Sequence, residues 1–329
     1  MNLSVLSAGA WGTALAIAFA ARHKVTLWAR EEEVVAAMRE KRENTRFLPG
    51  HPLPDSLLIE ADFDAAVASA ELLVVATPLA GLRTTLARLA VIAPNTPLIW
   101  VCKGLEAGTA KLPHVIAAET LGPNARYGVL SGPSFAEEVA CGLPTAVTLA
   151  ANNHDFAHET ALALHTPRLR IYANDDLAGV EVGGAVKNVL AIATGISDGL
   201  GLGLNARAAL ITRGLAEIAR LGEVLGGKRD TFMGLAGMGD LILTSTGDLS
   251  RNRRVGLALA AGKTLPQILQ ELGHVAEGVS TAREVAKLAR DLCIEMPITQ
   301  AVDAILHQGV AAGAAVEKLL SRDPKSESA

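Results

Sequence analysis

Residues 5–16 read VLSAGAWGTALA, an apolar run that breaks at a Ser-x-Gly-x-x-Gly turn and passes into an alanine-rich segment. The usual dinucleotide-binding turn reads Gly-x-Gly-x-x-Gly, just after a first strand and at the opening of a helix. Gly9 and Gly12 hold the second and third places here, and Ser7 holds the first. Gly9 lets backbone approach a pyrophosphate, and Gly12 lets helix and strand pack closely. Amides at the helix start favour phosphates. A plain strand-to-helix turn would share much of this pattern, but a second strand, KVTLWA (24–29), follows the helix as the dinucleotide unit requires. A Cβ at position 7 is crowded rather than forbidden, so the turn is expected to form with mild strain.

Outward from the turn, LSVLS (3–7), KVTLWA (24–29), LLVVATP (72–78), LIWVCK (98–103), YGVLSG (127–132), TAVTLA (145–150) and LRIYAN (169–174) read as strands. Helical stretches lie between the earlier ones, over 13–21, 31–41 and 82–90. Near-continuous apolar strands alternating with helices imply an α/β domain with a mainly parallel sheet, Rossmann-like and covered on both faces. After Asn174 the pattern changes. Long apolar-periodic stretches run from Leu177 to Val224, and 206–222, 280–292 and 299–308 carry helical periodicity. The expected division is a dinucleotide-binding domain over 1–174, an all-helical substrate and catalytic domain over 175–320, and a polar, disordered tail over 321–329.

The 329 residues suit about two domains. Half are hydrophobic and 3% aromatic, so the core is built from Ala, Leu, Val and Ile. A net charge of −4 gives no reason to expect nucleic acid. The apolar run from Gly12 to Ala21 is too short to span a bilayer and lacks the basic n-region of a secretory signal. Cys102, Cys141 and Cys293 are few and widely spaced, which argues for a reducing cytoplasm and against a metal site.

Several polar residues stand where chemistry is done. Arg30 follows the second strand, where an arginine accommodates the 2′-phosphate of NADP and an acid would bind the ribose of NAD. Arg30 favours NADP(H), and Glu31 keeps NAD(H) open. Lys103, in CKGLE (102–106), sits at a strand's C-terminal end, where ligands of open sheets bind. SGPSFAEEV (131–139) follows another strand, and its small residues suit close backbone approach to a ligand. Both stretches also fit ordinary loops. Lys187 and Asn188 interrupt an apolar helical stretch, GGAVKNVLAIATG (183–195). Such a lysine either snorkels to water or is held in a cleft with a lowered pKa, poised for proton transfer. Asp240 and Thr244 share a face if their segment is helical. Ser250, Arg251 and Asn252, in SRNRR, stand where a helix can begin, a good phosphate seat or a solvated basic face.

Taken together, GAWGTALA, KGLE, SGPSFAEEV, GGAVKNVLAI, NARAALITRGLAE, GMGDLILT, SRNRR and Glu277–Gly278 resemble the bacterial NAD(P)-dependent glycerol-3-phosphate dehydrogenases, in order from Leu3 to about Leu320. The later motifs are far more specific than the glycine turn. The resemblance implies interconversion of dihydroxyacetone phosphate and sn-glycerol 3-phosphate, feeding phospholipid synthesis, in a cleft between the two domains. By residue-wise match, Ala10, Trp11, Arg30, Ala136, Val275 and Glu277 contact the cofactor beside Gly9 and Gly12. Lys103 touches cofactor and substrate, and Gly132 and Ser134 line the substrate side. Lys187 matches the proton acceptor. Asp240, Ser250, Arg251 and Asn252 match substrate positions, with Arg251 also reaching the cofactor. Ser7 departs from the family's glycine and puts cofactor affinity and loop shape in question. No metal, nucleic acid or integral membrane segment is implied, and a homodimer is the candidate assembly. Two other functions fit less well: a related two-domain hydroxyacid dehydrogenase, and a catalytically impaired NADP-binding sensor.

Overall fold

A computed structural model describes residues 1–272 and 276–323. Eight strands form one sheet: β1 Asn2–Leu6, β2 Lys24–Trp28, β3 Leu58–Glu60, β4 Leu72–Val75, β5 Leu98–Trp100, β6 Tyr127–Ser131, β7 Thr145–Ala151 and β8 Leu169–Asn174. Their order is β3-β2-β1-β4-β5-β6-β7-β8. The first six are parallel, and β7 pairs antiparallel to β6 and parallel to β8. The central strands are buried on both faces, as with all four residues of β4, which is why they read as continuous apolar runs. The chain leaves β1 toward β2 on one side and returns to β4 on the other. Between these two strands lies the crevice where open α/β sheets bind ligands.

Strand ends differ from the sequence expectation by a few residues. β1 stops at Leu6 because Ser7 turns to φ 108°. β5 stops at Trp100, which leaves Lys103 in the following loop. Three residues of edge strand, β3, carried too little pattern to be read. The reversal at β7 was also unread. Residues 132–144, with only the five-residue helix Ala136–Ala140 among them, join β6 to β7, near the lower limit of about a dozen residues for a parallel crossover.

The helical half is built around helix Leu177–Gly199, which is buried continuously from Gly179 to Ser197. Among the described residues it alone is long and apolar enough to cross a membrane, and the protein itself covers it. Helices Gly203–Val224, Asp240–Thr246, Arg251–Ala260, Glu277–Asp291 and Pro297–His307 pack around it. Helix Arg251–Ala260 approaches it most closely, because Gly195 and Gly256 face each other there. A Cβ on Gly256 would meet the Ile192 carbonyl at 2.1 Å. The expected tail lies mostly outside the described residues.

Candidate active site

Helix Ala10–Ala20 begins at Gly9, whose amides have no side-chain cap, and no acidic residue lies in its first turn. That leaves an open, positively polarised helix start, fit for a pyrophosphate. Space around Gly9 is clear, whereas a Cβ on Gly12 would lie 2.1 Å from the Ser7 carbonyl. Gly12 therefore packs helix against strand as the sequence suggested, and Gly9 leaves open space. Ser7 donates its amide to the Trp28 carbonyl at 3.1 Å, which fixes the turn against β2 despite the positive φ. Ala136 opens its short helix against Ala10 and Trp11, so three residues expected on the cofactor meet in one cluster. Arg30 lies just past β2 with 81% of its side chain exposed, and it donates to Glu31 at 2.8 Å. The two candidate selectors of cofactor type thus pair with each other, and the arginine holds the Glu31 carboxyl below its ordinary range.

Where the sheet meets the helical half, three charged side chains from separate segments converge. Lys103 donates to Asp240 Oδ2 at 2.5 Å and to the Gly132 carbonyl at 3.3 Å. Lys187 donates to Asp240 Oδ1 at 2.6 Å and to Thr244 Oγ1 at 2.7 Å. The shared face of Asp240 and Thr244 is real, since Thr244 also donates to Asp240 at 3.3 Å on helix Asp240–Thr246. Asp240 is 1% exposed. Burial would raise its carboxyl, but the two lysines outweigh burial and hold it below its usual range. Burial pushes Lys187 down to about 8, with Lys103 adding to the fall and Asp240 opposing it. Lys187 is therefore buried and paired, and does not snorkel.

Ser134 donates to the same Gly132 carbonyl at 3.0 Å. Ser250 caps helix Arg251–Ala260 by accepting the Arg253 amide at 3.2 Å, as its place in the sequence foretold. Asn252 donates to Asn188 Oδ1 at 3.0 Å and accepts the Gly278 amide at 3.1 Å. Arg251 stays exposed, beside Glu277. The Glu277 carboxyl accepts from the Leu79 backbone; burial raises its pKa against the pull of Arg251, Lys103 and Lys187. Val275 lies outside the described residues.

Thr244 and Asn188 join the cluster without having been assigned a role. Their signals, a hydroxyl one turn from Asp240 and an amide beside Lys187, were present in the sequence. A separate cavity of about 520 Å³, lined by His154, His158, Asp175 and Lys228 among others, contains none of these residues.

An anion-receptive helix start and a buried lysine with a lowered pKa are features of a two-domain NAD(P)-dependent oxidoreductase. Comparison with known proteins narrows the class. Family profiles described as the N-terminus and C-terminus of NAD-dependent glycerol-3-phosphate dehydrogenase match residues 2–157 and 176–317. The chain belongs to that family. It is 67% identical over 327 residues to a glycerol-3-phosphate dehydrogenase [NAD(P)+] of Dechloromonas aromatica, covering 99% of each chain. It is 65% identical to one of Aromatoleum aromaticum, covering 99% of this chain and all of the relative. Among solved structures, glycerol-3-phosphate dehydrogenase of Coxiella burnetii superposes with TM-score 0.94 at 44% identity, over 98% of this chain and 99% of that one.

Proposed function

We propose that this chain interconverts dihydroxyacetone phosphate and sn-glycerol 3-phosphate, in a cleft between domains divided at 174/175, with Lys187 as the proton carrier. The observation that carries this is the shared Asp240 carboxylate, which holds Lys187 and Lys103 together at the domain junction. A nicotinamide cofactor, when bound, supplies or accepts the hydride. Gly9, Ala10, Trp11, Gly12, Arg30, Lys103, Ala136, Arg251 and Glu277 are the described residues that would hold it.

The remaining work falls to the chain's own side chains. Lys187 has three N–H bonds, of which two go to Asp240 and Thr244. The third is free to protonate the C2 oxygen in reduction, and neutral Lys187 takes that proton in the reverse direction. Lys103 adds positive charge beside the developing alkoxide. The substrate phosphate falls to Arg251, to the second N–H of Asn252, and to the Ser250 hydroxyl hydrogen, which capping leaves free. Anchoring the phosphate orients C2, with Gly132 and Ser134 lining the path.

The product would feed phospholipid synthesis. Unpaired Cys102, Cys141 and Cys293 suit a cytoplasmic setting. A homodimer is the proposed assembly. The test is NADPH and NADH oxidation, side by side, with dihydroxyacetone phosphate and with unphosphorylated ketones. Turnover confined to the phosphorylated ketone is expected. No turnover with either cofactor would replace this reading with that of a cofactor-binding sensor.

A further inference from the structure

Glu181 is a buried carboxylate that the proton chemistry above does not use. It lies on helix Leu177–Gly199 and is 4% exposed. Its Oε1 accepts the Trp100 indole N–H at 3.1 Å and the His114 backbone N–H at 3.0 Å, and its Oε2 lies 2.6 Å from His114 Nδ1. Burial pushes the imidazole toward neutrality, but the Glu181 contact outweighs it and raises its pKa, while burial raises the Glu181 carboxyl against the pull of His114 and Trp100. Trp100 ends β5, three residues before Lys103, and His114 is in the first turn of helix Pro113–Thr120. Glu181 therefore ties the strand that delivers Lys103 to the helix that delivers Lys187.

The joint is dry. Cys102, Lys103, Ser131, Glu181 and Gly184 line one narrow seam with no room for a water molecule. A Cβ on Gly184 would touch Lys103 Cγ and Cδ at 3.5 Å. A seam without water transmits a displacement, because close-packed groups have no slack to absorb it.

We infer that Glu181 is a positioning residue, whose bonds to Trp100 and His114 set the distance of Lys103 from the Asp240–Lys187 pair. This rests on the assignment of Lys187 as proton carrier. The groups that face Lys187 are Asp240, Lys103 and Glu277, with Thr244 as hydrogen-bond partner. Losing the clasp lets Lys103 fall back, which removes a like charge and raises the Lys187 pKa. Merely deleting a distant negative charge would move that pKa the other way. The two explanations thus differ in sign.

The experiment compares Glu181→Ala, Glu181→Gln and Trp100→Phe in the enzyme, through kcat, NADPH Kd and the pH profile of ketone reduction. Glu181→Ala is expected to lower kcat about 10–100-fold, the scale of a misplacement of about 1 Å. Its NADPH Kd should stay within about twofold, and its alkaline limb should move to higher pH. Glu181→Gln retains a carbonyl acceptor for both N–H groups, so most of kcat should return with the parent's limb. Should Glu181→Ala fail to fold, Trp100→Phe, which removes the indole N–H of the clasp and changes no charge, should move the limb in the same direction. Parent-like kcat, or a limb that stays put or moves down in the folded variant, overturns the proposal. Lys187→Met as a parallel control separates the two claims: if it too stays active, the proton-carrier assignment has failed instead.

Discussion

Lys187 shows how context decides what a residue does. A lysine among Ala, Val and Leu reads equally as a snorkelling cation or a cleft acid, and only the burial beside Asp240, Thr244 and Lys103 decides. A fall to about 8 gives a pH prediction with a definite sign. Ketone reduction needs the protonated lysine, so kcat/KM should be flat below pH 8 and decline above it. Alcohol oxidation needs the neutral form, so it should rise through the same region. A rate profile in both directions checks this, and parallel limbs would contradict it. Arg30 makes a second case. Its pairing with Glu31 is exposed and weak, so a 2′-phosphate should take the guanidinium over. Arg30→Ala should cost about 1.5–3 kcal/mol in NADPH binding and little in NADH binding, measured by titration. Equal losses would show that Arg30 does not read the 2′-phosphate.

At the scale of elements, the first turn carries strain that the sequence foresaw. Ser7 sits at φ 108°, a region that favours glycine. Ser7→Gly should relieve about 1 kcal/mol, with up to about fivefold tighter NADPH binding in titrations at equal salt. Weaker binding would mean that the serine makes a contact of its own. The crossing of helices Leu177–Gly199 and Arg251–Ala260 makes the opposite demand. Alanine at position 256 would gain about 1 kcal/mol in helix propensity. It would also drive a Cβ into the Ile192 carbonyl at 2.1 Å, and backbone cannot yield as a side chain can. Overpacking of about 1–3 kcal/mol or more should win. Gly256→Ala should thus lower the denaturation midpoint and, by shifting Asn252, the turnover. An unchanged midpoint would show that the crossing has slack.

At the scale of the molecule, legibility followed the range of the interaction. The glycine turn, the buried strands, the Ser250 cap and the Asp240–Thr244 face depend on residues within a few positions, and all were readable. The direction of β7 was not, because strand polarity depends on how the preceding connection packs. The Glu181 clasp was hidden as well, since its partners Trp100 and His114 lie 81 and 67 residues away. One acid in an apolar helix gives no hint of which distant N–H groups it will meet. Convergence of Lys103, Lys187 and Asp240 became visible from sequence only through the family resemblance, as spacing alone does not bring three segments to one carboxylate.

The central claim is that this convergence exists to move a proton at Lys187. Turnover of dihydroxyacetone phosphate by Lys187→Met, measured alongside its NADPH dissociation constant, tests it most directly. The account predicts a fall in kcat of about 10²–10⁴, the usual scale of general acid catalysis, with cofactor binding nearly intact. Turnover close to that of the parent protein, with cofactor binding unchanged, would contradict it.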